Sequence, residues 1–490
     1  MANKIITKTL VNYIGNHGQS LASKPVLRKT AVKIALKITE NGYQSNLKNN
    51  KYSPGECEDR YATSQAIIAT TERILTSPYP ISPAYYRKLA DIMVKNIVIE
   101  GGDVQTQQEF KALHGRRPPG FLTISPTKSC NLKCKGCYAS SSGIAHEKLS
   151  WDVFDKLLTE ARDIFGIRFI VISGGEPFTY KDDGKDLLDM VAKHDDMFFM
   201  AYTNSLLIDD EKAERMAKLG NFVPAISIEG WREKTDERRG QGVFDGILAS
   251  IDRLQKHGIP FGISLTATKE NCEELFSDDF MDYFFLEKGA VIGWVFHYMP
   301  IGRSFTLDLM PTPQQRQWMW QRSWQLIKGK KIFLADFWNH GTLVDGCLAS
   351  GRSSGGGYLY INWDGKVMPC VFVPYSPVNL NDIYKQGKTI ADAWEESFFE
   401  RIRTWQAEYL KGDQHRGNLL NPCFIRDHQD VMRQIIADTE PDPENDPARE
   451  ALLDKEYAKG MIEYGRAIAE ATQPVWEKQY LKLDESTTKP

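Results

Sequence analysis

Short apolar runs and amphipathic stretches alternate between residues 120 and 300. The runs at 120–125 and 168–173 predict strands, and the second is continuous enough for a strand buried in a parallel sheet. Ser150 is the predicted N-cap of a helix over 151–165 that ends at Gly166. Five apolar residues share one face of this helix: Phe154, Leu157, Leu158, Ala161 and Ile164.

The same alternation continues toward residue 300. Further helices are predicted at 185–194, 208–219, 243–257 and, in broken form, 270–287, and further strands at 197–203, 223–228, 260–266 and 291–298. Six strand–helix units predict an α/β fold with a parallel, partly closed barrel, a partial (βα)6 TIM-type barrel. In such barrels the chemistry gathers at the carboxyl ends of the strands.

The segments outside the barrel differ in charge. Residues 1–39 contain seven Lys and Arg residues and no acidic residue. From Pro25 they predict a basic amphipathic helix, which either lies on an anionic membrane surface or packs on the barrel with its basic face in solvent. Residues 438–448 are acidic and proline-rich and are predicted to be a linker. Residues 449–482 are predicted to be helical.

Bulk composition narrows the class of protein. The net charge of −3 provides no excess positive field, so nucleic-acid binding is not expected. No apolar run approaches the roughly 20 residues that span a bilayer, and no signal peptide is predicted. The expected location is therefore the cytoplasm, or the inner face of the membrane if the basic helix binds lipid. In that reducing compartment the eight cysteines are first candidates for metal ligands or free thiols.

Three of those cysteines, Cys130, Cys134 and Cys137, fall within eight residues. A loop with this spacing can fold three thiolates around one inorganic core, and neighbouring Lys133 and Lys135 are predicted to lower the thiol pKa values. Three ligands on a four-iron cluster leave one iron open to an exogenous chelator. The alternative is a structural zinc site, although zinc normally takes four protein ligands and no second CxxC follows.

The cysteine spacing, followed by Gly174-Gly175-Glu176-Pro177 after the second predicted strand, resembles the radical S-adenosylmethionine (SAM) superfamily. The resemblance covers about residues 119–300 and implies a [4Fe–4S] cluster whose open iron is chelated by the methionyl group of SAM. It implies that Glu176 accepts from the ammonium group and that Arg238 or Arg239 binds the carboxylate. The remaining SAM contacts that it implies are Tyr138, Gly174, Gly175, Pro177, Thr203, Asn204, Ser227, Glu229, Gly293 and Val295, with Ser227 and Glu229 on the ribose and Gly293 and Val295 near the adenine. One departure is Gly136, where the family often has an aromatic residue.

A second group of cysteines lies in the C-terminal third. Cys347, a predicted hairpin around residues 363–365, Cys370 and Cys423 follow an order that resembles the auxiliary-cluster domains called SPASM and twitch. The shorter twitch type fits better because several SPASM cysteines are absent. Either Asp427 or His428 completes the ligand set, or an iron stays open for substrate; the alternative is three unligated buried cysteines. Two further cysteines, Cys57 and Cys272, are predicted to be small buried hydrophobic residues.

Four regions are therefore expected: a helical extension over 1–118, the barrel over 119–330, a small α+β auxiliary-cluster domain over 331–437, and a linker with a C-terminal helix over 438–490. The resemblance implies that a ferredoxin or flavodoxin supplies one electron, that SAM is cleaved to a 5′-deoxyadenosyl radical, and that this radical abstracts hydrogen from a substrate. A peptide, a lipid and a cofactor precursor all remain open as substrates. The alternative is a non-catalytic SAM-binding iron–sulfur redox or sensor protein.

Overall fold

A single ten-stranded sheet lies at the centre of the computed structural model, which describes residues 24–50, 52–92, 103–411 and 417–482. Its strands are β1 Phe121–Ile124, β2 Phe169–Ile172, β3 Phe198–Thr203, β4 Phe222–Ile228, β5 Gly262–Ala267, β6 Gly293–His297, β7 Leu334–Asp336, β8 Tyr358–Ile361, β9 Lys366–Met368 and β10 Val378–Asn379. The order across the sheet is β10-β9-β8-β1-β2-β3-β4-β5-β6-β7. From β8 to β7 all neighbours are parallel, so the carboxyl ends of these strands meet at one edge.

Helices surround this sheet. Those before and within the barrel are α1 Pro25–Lys48, α2 Pro54–Thr76, α3 Pro83–Lys88, α4 Val104–His114, α5 Trp151–Asp163, α6 Leu187–Lys193, α7 Asp210–Leu219, α8 Arg232–Arg239, α9 Val243–Lys256, α10 Cys272–Leu275 and α11 Asp278–Met281, followed by a π-helical turn at Asp282–Glu287. Those after β6 are α12 Pro313–Lys330, α13 Gly341–Val344, α14 Leu380–Lys385, α15 Ile390–Trp394, α16 Ser397–Lys411, α17 Gln429–Thr439, α18 Asp446–Leu453 and α19 Lys455–Val475, with a second π-helical turn at Trp476–Leu481. The predicted α/β barrel is confirmed.

Local sequence explains these elements. The Ser150 side chain accepts a hydrogen bond from the Val153 amide, as an N-cap does. The apolar face of α5, including Phe154, Leu157 and Leu158, is fully buried against the sheet. On the other face of the sheet, Val171, Met200 and Ala225 form a small apolar cluster inside the barrel. Burying both faces accounts for the continuous apolar runs that predicted the strands.

The sheet of the barrel does not end at the domain boundary predicted at residue 330. Strand β7 lies beyond that boundary, yet it pairs in parallel with β6 and extends the barrel by one strand. On the opposite edge β8 pairs in parallel with β1, and the predicted hairpin is formed by β8 and β9. The auxiliary region therefore continues the barrel sheet, because the paired backbone groups of β1 leave no free edge between the two regions.

The linker predicted at 438–448 is regular structure. Asp442–Pro443 pairs antiparallel with Tyr375–Ser376, and α18 begins at Asp446 with Asn445 as its N-cap. The Asn362 side chain donates to the Glu444 carboxylate over 2.8 Å. Burial raises the pKa of Glu444. The acidic composition predicted a solvated linker, but these tertiary contacts order the segment.

Helix α1 packs along α2 and buries none of its own residues. Val26 is 77% exposed, and Leu27, Ile34 and Leu36 are exposed beside Lys29, Lys33 and Lys37. Residues 1–23, which belong to the same predicted basic region, lie outside the described residues. Among the described helices, none is long and apolar enough to cross a membrane.

Candidate active site at the carboxyl ends of the barrel strands

A cavity of about 500 Å³ opens at the carboxyl ends of the parallel strands. Cys130, Cys134 and Cys137 line one part of it, together with residues that follow β2, β3 and β4. The predicted SAM contacts that line it are Tyr138, Gly174, Gly175, Glu176, Thr203, Asn204, Ser227 and Arg238; Arg239 does so as well. Residues separated by more than a hundred positions thus share one wall, as expected for a parallel barrel.

The cysteine loop and the Gly-Gly-Glu-Pro turn are held together by backbone contacts. The Gly175 amide donates to the Thr127 carbonyl and the Glu176 amide to the Ser129 carbonyl, over 2.9 and 2.8 Å. A Cβ on Gly175 would lie 2.0 Å from the Ser129 oxygen, so this approach requires glycine. The turn therefore fixes the position of the loop that carries the three thiols.

Tyr138 also contacts the Gly-Gly-Glu-Pro turn, through its hydroxyl group. Its hydroxyl lies 2.5 Å from Ser173 Oγ and accepts from the Gly174 amide over 3.1 Å. Gly136, at the position where the family often has an aromatic residue, has φ +64°. A Cβ there would lie 2.8 Å from the Tyr298 ring, which occupies the space beside it. Tyr138 and Tyr298 supply the aromatic surface that Gly136 lacks.

The thiols of Cys130 and Cys134 are more basic than the sequence predicted. Burial raises the pKa of Cys130 to about 12 and raises that of Cys134, despite the nearby Arg239 and Arg238 guanidinium groups. The prediction that Lys133 and Lys135 lower these values is wrong. The Lys135 side chain is 61% exposed and pairs with Glu237 on the surface, where solvent screens its charge.

Glu176 is held by hydrogen bonds at both of its carboxylate oxygens. Thr203 Oγ1 donates to Oε1 over 2.7 Å and the Asn204 amide to Oε2 over 2.8 Å. Asn204 Nδ2 in turn donates to Asn131 Oδ1 over 2.8 Å, which ties β3 to the cysteine loop. Burial raises the pKa of Glu176 to about 7 in spite of these bonds. A cationic ligand at this oxygen would favour the ionised carboxylate.

Glu229 is placed differently from its predicted ribose contact. It is 1% exposed and lies outside the cavity lining. Its two oxygens pair with Arg238 Nη1 and Arg239 Nη2, each over 2.5 Å. Glu229 follows β4 and precedes α8, whose last two residues are Arg238 and Arg239. Its carboxylate pairs with these two guanidinium groups and does not reach the cavity. Its contacts are those of a residue that orients both arginines.

Three other predicted contacts also lie outside the cavity lining: Pro177, Gly293 and Val295. Side chains alternate along a strand, so β6 directs Trp294 and Phe296 to the cavity while Val295 packs in the outer core. Gly293 packs against Phe285 and Leu334. The strand was predicted to contribute to the site, but the residues that do so are the neighbours of those predicted.

Two histidines and an aspartate in the wall were not predicted. His297 ends β6, Asp336 ends β7, and His340 follows four residues later; all three are buried and border the cavity. His297 Nε2 lies 3.0 Å from Asp336 Oδ2. Because His297 alternates with Phe296 along the strand, its side chain and that of its partner Asp336 lie behind the residues that face the cavity, and both are 0% exposed.

The second cysteine group also converges. Cys347, Cys370 and Cys423 line one small cavity next to the first, and Phe337, Val344, Leu348 and Phe372 line both. Tyr358 lies in the wall of the larger cavity, and its hydroxyl is 2.8 Å from Cys370 Sγ. Burial raises the pKa of Cys370 to about 12. The cavities of the two cysteine groups therefore share four apolar side chains in their walls.

Neither predicted fourth ligand of this group lines the small cavity. Asp427 forms a buried two-point ion pair with Arg316, from helix α12. His428 Nε2 lies 2.9 Å from the Asn421 carbonyl, and its ring packs against Trp405. Both side chains are satisfied elsewhere, which favours the other alternative, that an iron of this group stays open for substrate. Cys57 and Cys272 are buried, as predicted.

The three thiols in each group of cysteines fit an iron–sulfur cluster better than a single metal ion. No three His, Cys, Asp or Glu side chains in the described part of the chain are close enough together to hold one metal ion. Three soft thiols around a cavity suit an iron–sulfur cluster, which is larger than an ion and bridges more widely spaced ligands. Zinc normally takes four protein ligands, so three cysteines in one short loop suit a cluster better than a zinc site.

Comparison with known families agrees with this geometry. The sequence profile of the radical SAM superfamily matches residues 124–276. Residues 124–276 therefore form a radical SAM domain. A profile of the SPASM iron–sulfur cluster-binding domain matches residues 353–423, a stretch that includes Cys370 and Cys423. The radical SAM match implies SAM and a [4Fe–4S] cluster as cofactors, and the SPASM match implies additional clusters.

Relatives of this radical SAM chain are similar over different lengths. Fe-coproporphyrin III synthase of Methanosarcina barkeri is 35% identical over 150 residues, 30% of this chain and 37% of that protein. AdoMet-dependent heme synthase of the same organism is 28% identical over 327 residues, 60% of this chain and 87% of that protein. Streptococcus suis SuiB bound to SAM has the same fold, with TM-score 0.52 and 16% identity over 75% of this chain and 89% of SuiB.

Proposed function

We propose that this radical SAM enzyme abstracts hydrogen from the apolar part of a substrate held in the large cavity. The observation behind this proposal is that the cavity lined by the thiols is also lined by many aromatic and aliphatic side chains: Phe121, Phe169, Met200, Tyr202, Trp294, Phe296, Phe333, Phe337 and Phe372. A surface of this kind binds apolar carbon and excludes water. A non-catalytic SAM-binding redox or sensor protein would not need an apolar cavity for a substrate beside the SAM site.

The cysteines and the polar residues of the same cavity would bind the cofactors. Cys130, Cys134 and Cys137 would hold the cluster; together, the bound cluster and SAM supply one-electron cleavage of SAM and a radical that abstracts hydrogen. Glu176 would accept from the SAM ammonium, while Arg238 or Arg239, oriented by Glu229, would bind its carboxylate. Ser227 would contact the ribose. A ferredoxin or flavodoxin would donate the electron.

The charges in the wall limit which substrates fit. Among the described residues that line the cavity, the Lys and Arg side chains are Arg238 and Arg239, and both are already paired with Glu229. A substrate with several carboxylates would find no other guanidinium or ammonium group there. The part that enters is therefore not anionic, which fits a lipid chain or an apolar peptide side chain.

Contact with an anionic membrane surface belongs to the same proposal. Helix α1 exposes Leu27 and Ile34 next to Lys29, Lys33 and Lys37, and it buries no residue of its own. Apolar side chains can insert between lipid headgroups while each Lys contributes about 1 kcal/mol near anionic lipid. This arrangement would bring a membrane lipid to the enzyme.

The test is an anaerobic SAM-cleavage assay on the reconstituted protein with dithionite. Production of 5′-deoxyadenosine should rise with a membrane-lipid extract of the host and not with its soluble small molecules and peptides. Flotation with vesicles containing phosphatidylglycerol should be lost when Lys29, Lys33 and Lys37 are replaced by Glu. Stimulation by the soluble fraction alone would contradict a lipid substrate, and no 5′-deoxyadenosine from protein with a verified cluster would support the sensor alternative.

A tetrapyrrole is the second candidate, favoured by the similarity to AdoMet-dependent heme synthase over 60% of this chain. The carboxylates of a tetrapyrrole would have to stay outside the cavity, because the Lys and Arg side chains among the described lining residues are the paired Arg238 and Arg239. Iron coproporphyrin III added to the same assay distinguishes the two candidates, because a tetrapyrrole substrate would change its visible absorption spectrum as 5′-deoxyadenosine accumulates.

A further inference from the structure

Tyr358 connects the wall of the large cavity with a thiol of the second cysteine group. It is the first residue of β8, and its ring stacks on Phe121 of the neighbouring strand β1, with centroids 5.0 Å apart and 13° between the ring planes. Both rings lie in the wall of the large cavity. The Tyr358 hydroxyl is 2.8 Å from Cys370 Sγ. Tyr358 is only 2% exposed, so this contact is shielded from bulk water.

The β8–β9 hairpin places Tyr358 and Cys370 opposite each other. The two strands pair antiparallel, with Tyr360 opposite Met368. Continuing this register by two residues places Tyr358 opposite Cys370, and residues that are directly opposite have their side chains on the same face. All four side chains pack in one buried cluster. The contact between the hydroxyl and the thiol therefore follows from the strand register.

The other contacts of the hydroxyl define which atom donates. The Val371 amide donates to the Tyr358 oxygen over 3.3 Å, which leaves the O–H group as a donor. A cysteine that binds iron does so as a thiolate, whose sulfur has no hydrogen to donate. With Cys370 bound to iron, the Tyr358 O–H therefore donates to Sγ. The Phe372 amide donates to the same sulfur over 3.5 Å.

A donor at this sulfur changes the relative stability of two oxidation states. Hydrogen bonds to ligand sulfurs are among the factors that set the reduction potential of an iron–sulfur cluster. Reduction adds negative charge, so a donor stabilises the reduced form more than the oxidised form. Apart from the cysteines, the small cavity is lined mainly by apolar side chains such as Phe337, Trp338 and Val373. A hydrogen bond is electrostatically stronger in such surroundings than in water.

We infer that Tyr358 acts through Cys370 on the auxiliary cluster that the SPASM match implies: its O–H donates to the iron-bound sulfur and raises the reduction potential of that cluster. Tyr358 is thus a positioning residue, because it contacts a ligand of the cluster and not the reacting atoms. The inference goes beyond the proposed function and does not depend on which substrate the large cavity holds.

The test is a redox titration of the reconstituted full chain, followed by electron paramagnetic resonance. Replacing Cys130, Cys134 and Cys137 by Ala removes the first cluster, so that the signal comes from the auxiliary cluster. In this background Tyr358→Phe keeps the stacked ring and removes the O–H. It should make reduction about fivefold less favourable, the effect of one hydrogen bond, which corresponds to a midpoint about 40 mV more negative for one electron.

Tyr360→Phe is the matched control. Tyr360 lies two residues later on the same strand and is also buried, but its hydroxyl donates to Ser125 Oγ over 2.8 Å. Its loss should leave the midpoint unchanged. An unchanged midpoint in Tyr358→Phe, or an equal shift in Tyr360→Phe, would overturn the inference. Loss of the auxiliary cluster from Tyr358→Phe alone would also overturn it, since Tyr358 would then be needed for assembly. So would a background variant that binds no iron, because Cys370 would not be a ligand.

Discussion

Replacing Glu229 by Gln tests whether one buried carboxylate holds both arginines of the site. The side chains of Arg238 and Arg239 are 17% and 12% exposed, and that of Glu229 is 1% exposed. Gln has the same shape and keeps one oxygen for Arg239, but it removes the negative charge. Two guanidinium groups would then be largely buried with no opposite charge in contact with them.

Removing one partner of a buried ion pair costs about 3–5 kcal/mol. The arginines here retain some contact with water, so we expect the lower end, about 3 kcal/mol, in the free energy of unfolding. The matched control is Glu237→Gln, on helix α8 together with the two arginines. Glu237 pairs with Lys135 at the surface, where their side chains are 47% and 61% exposed. An exposed pair of this kind contributes about 0–1 kcal/mol.

The assay is urea unfolding of the protein without cofactors, followed by tryptophan fluorescence. Because a chain of this size can unfold in stages, the first transition is compared between variants. Glu229→Gln should lower its midpoint several times more than Glu237→Gln does. Equal shifts in the two variants would refute the idea that Glu229 neutralises the paired arginines.

Three further outcomes are expected. Cys134→Ala should abolish 5′-deoxyadenosine formation, whereas Cys272→Ala, at a buried thiol outside both cavities, should retain it; activity in the first variant would contradict the cluster assignment. Cys370→Ser should lower the iron bound per chain while Cys57→Ser does not, and equal iron contents would contradict an auxiliary cluster at Cys370. Burial raises the pKa of Asp59 to about 7, so its contribution to stability is complete below about pH 4 and is lost as the pH rises through 7. Asp59→Asn should remove up to about 4 kcal/mol of that decline between pH 4 and pH 8, measured by urea unfolding, and an unchanged pH profile would show that Asp59 does not titrate in this way.

The sequence alone determined the barrel and its cofactor class. Parallel strands buried on both faces must be continuous apolar runs, so six of them were visible without any tertiary information. The spacing of Cys130, Cys134 and Cys137 and the Gly174–Glu176 turn are local features, because each lies in one short loop. The side-chain alternation of β6 was also readable, and it should have selected Trp294 and Phe296 over Gly293 and Val295.

Tertiary structure decided which side chains are free to bind a ligand. Glu229, Asp427 and His428 have the right chemistry, but partners distant in sequence or on adjacent elements occupy them first. Residue type and order are encoded locally, whereas hydrogen-bond saturation depends on what the fold brings within about 3 Å.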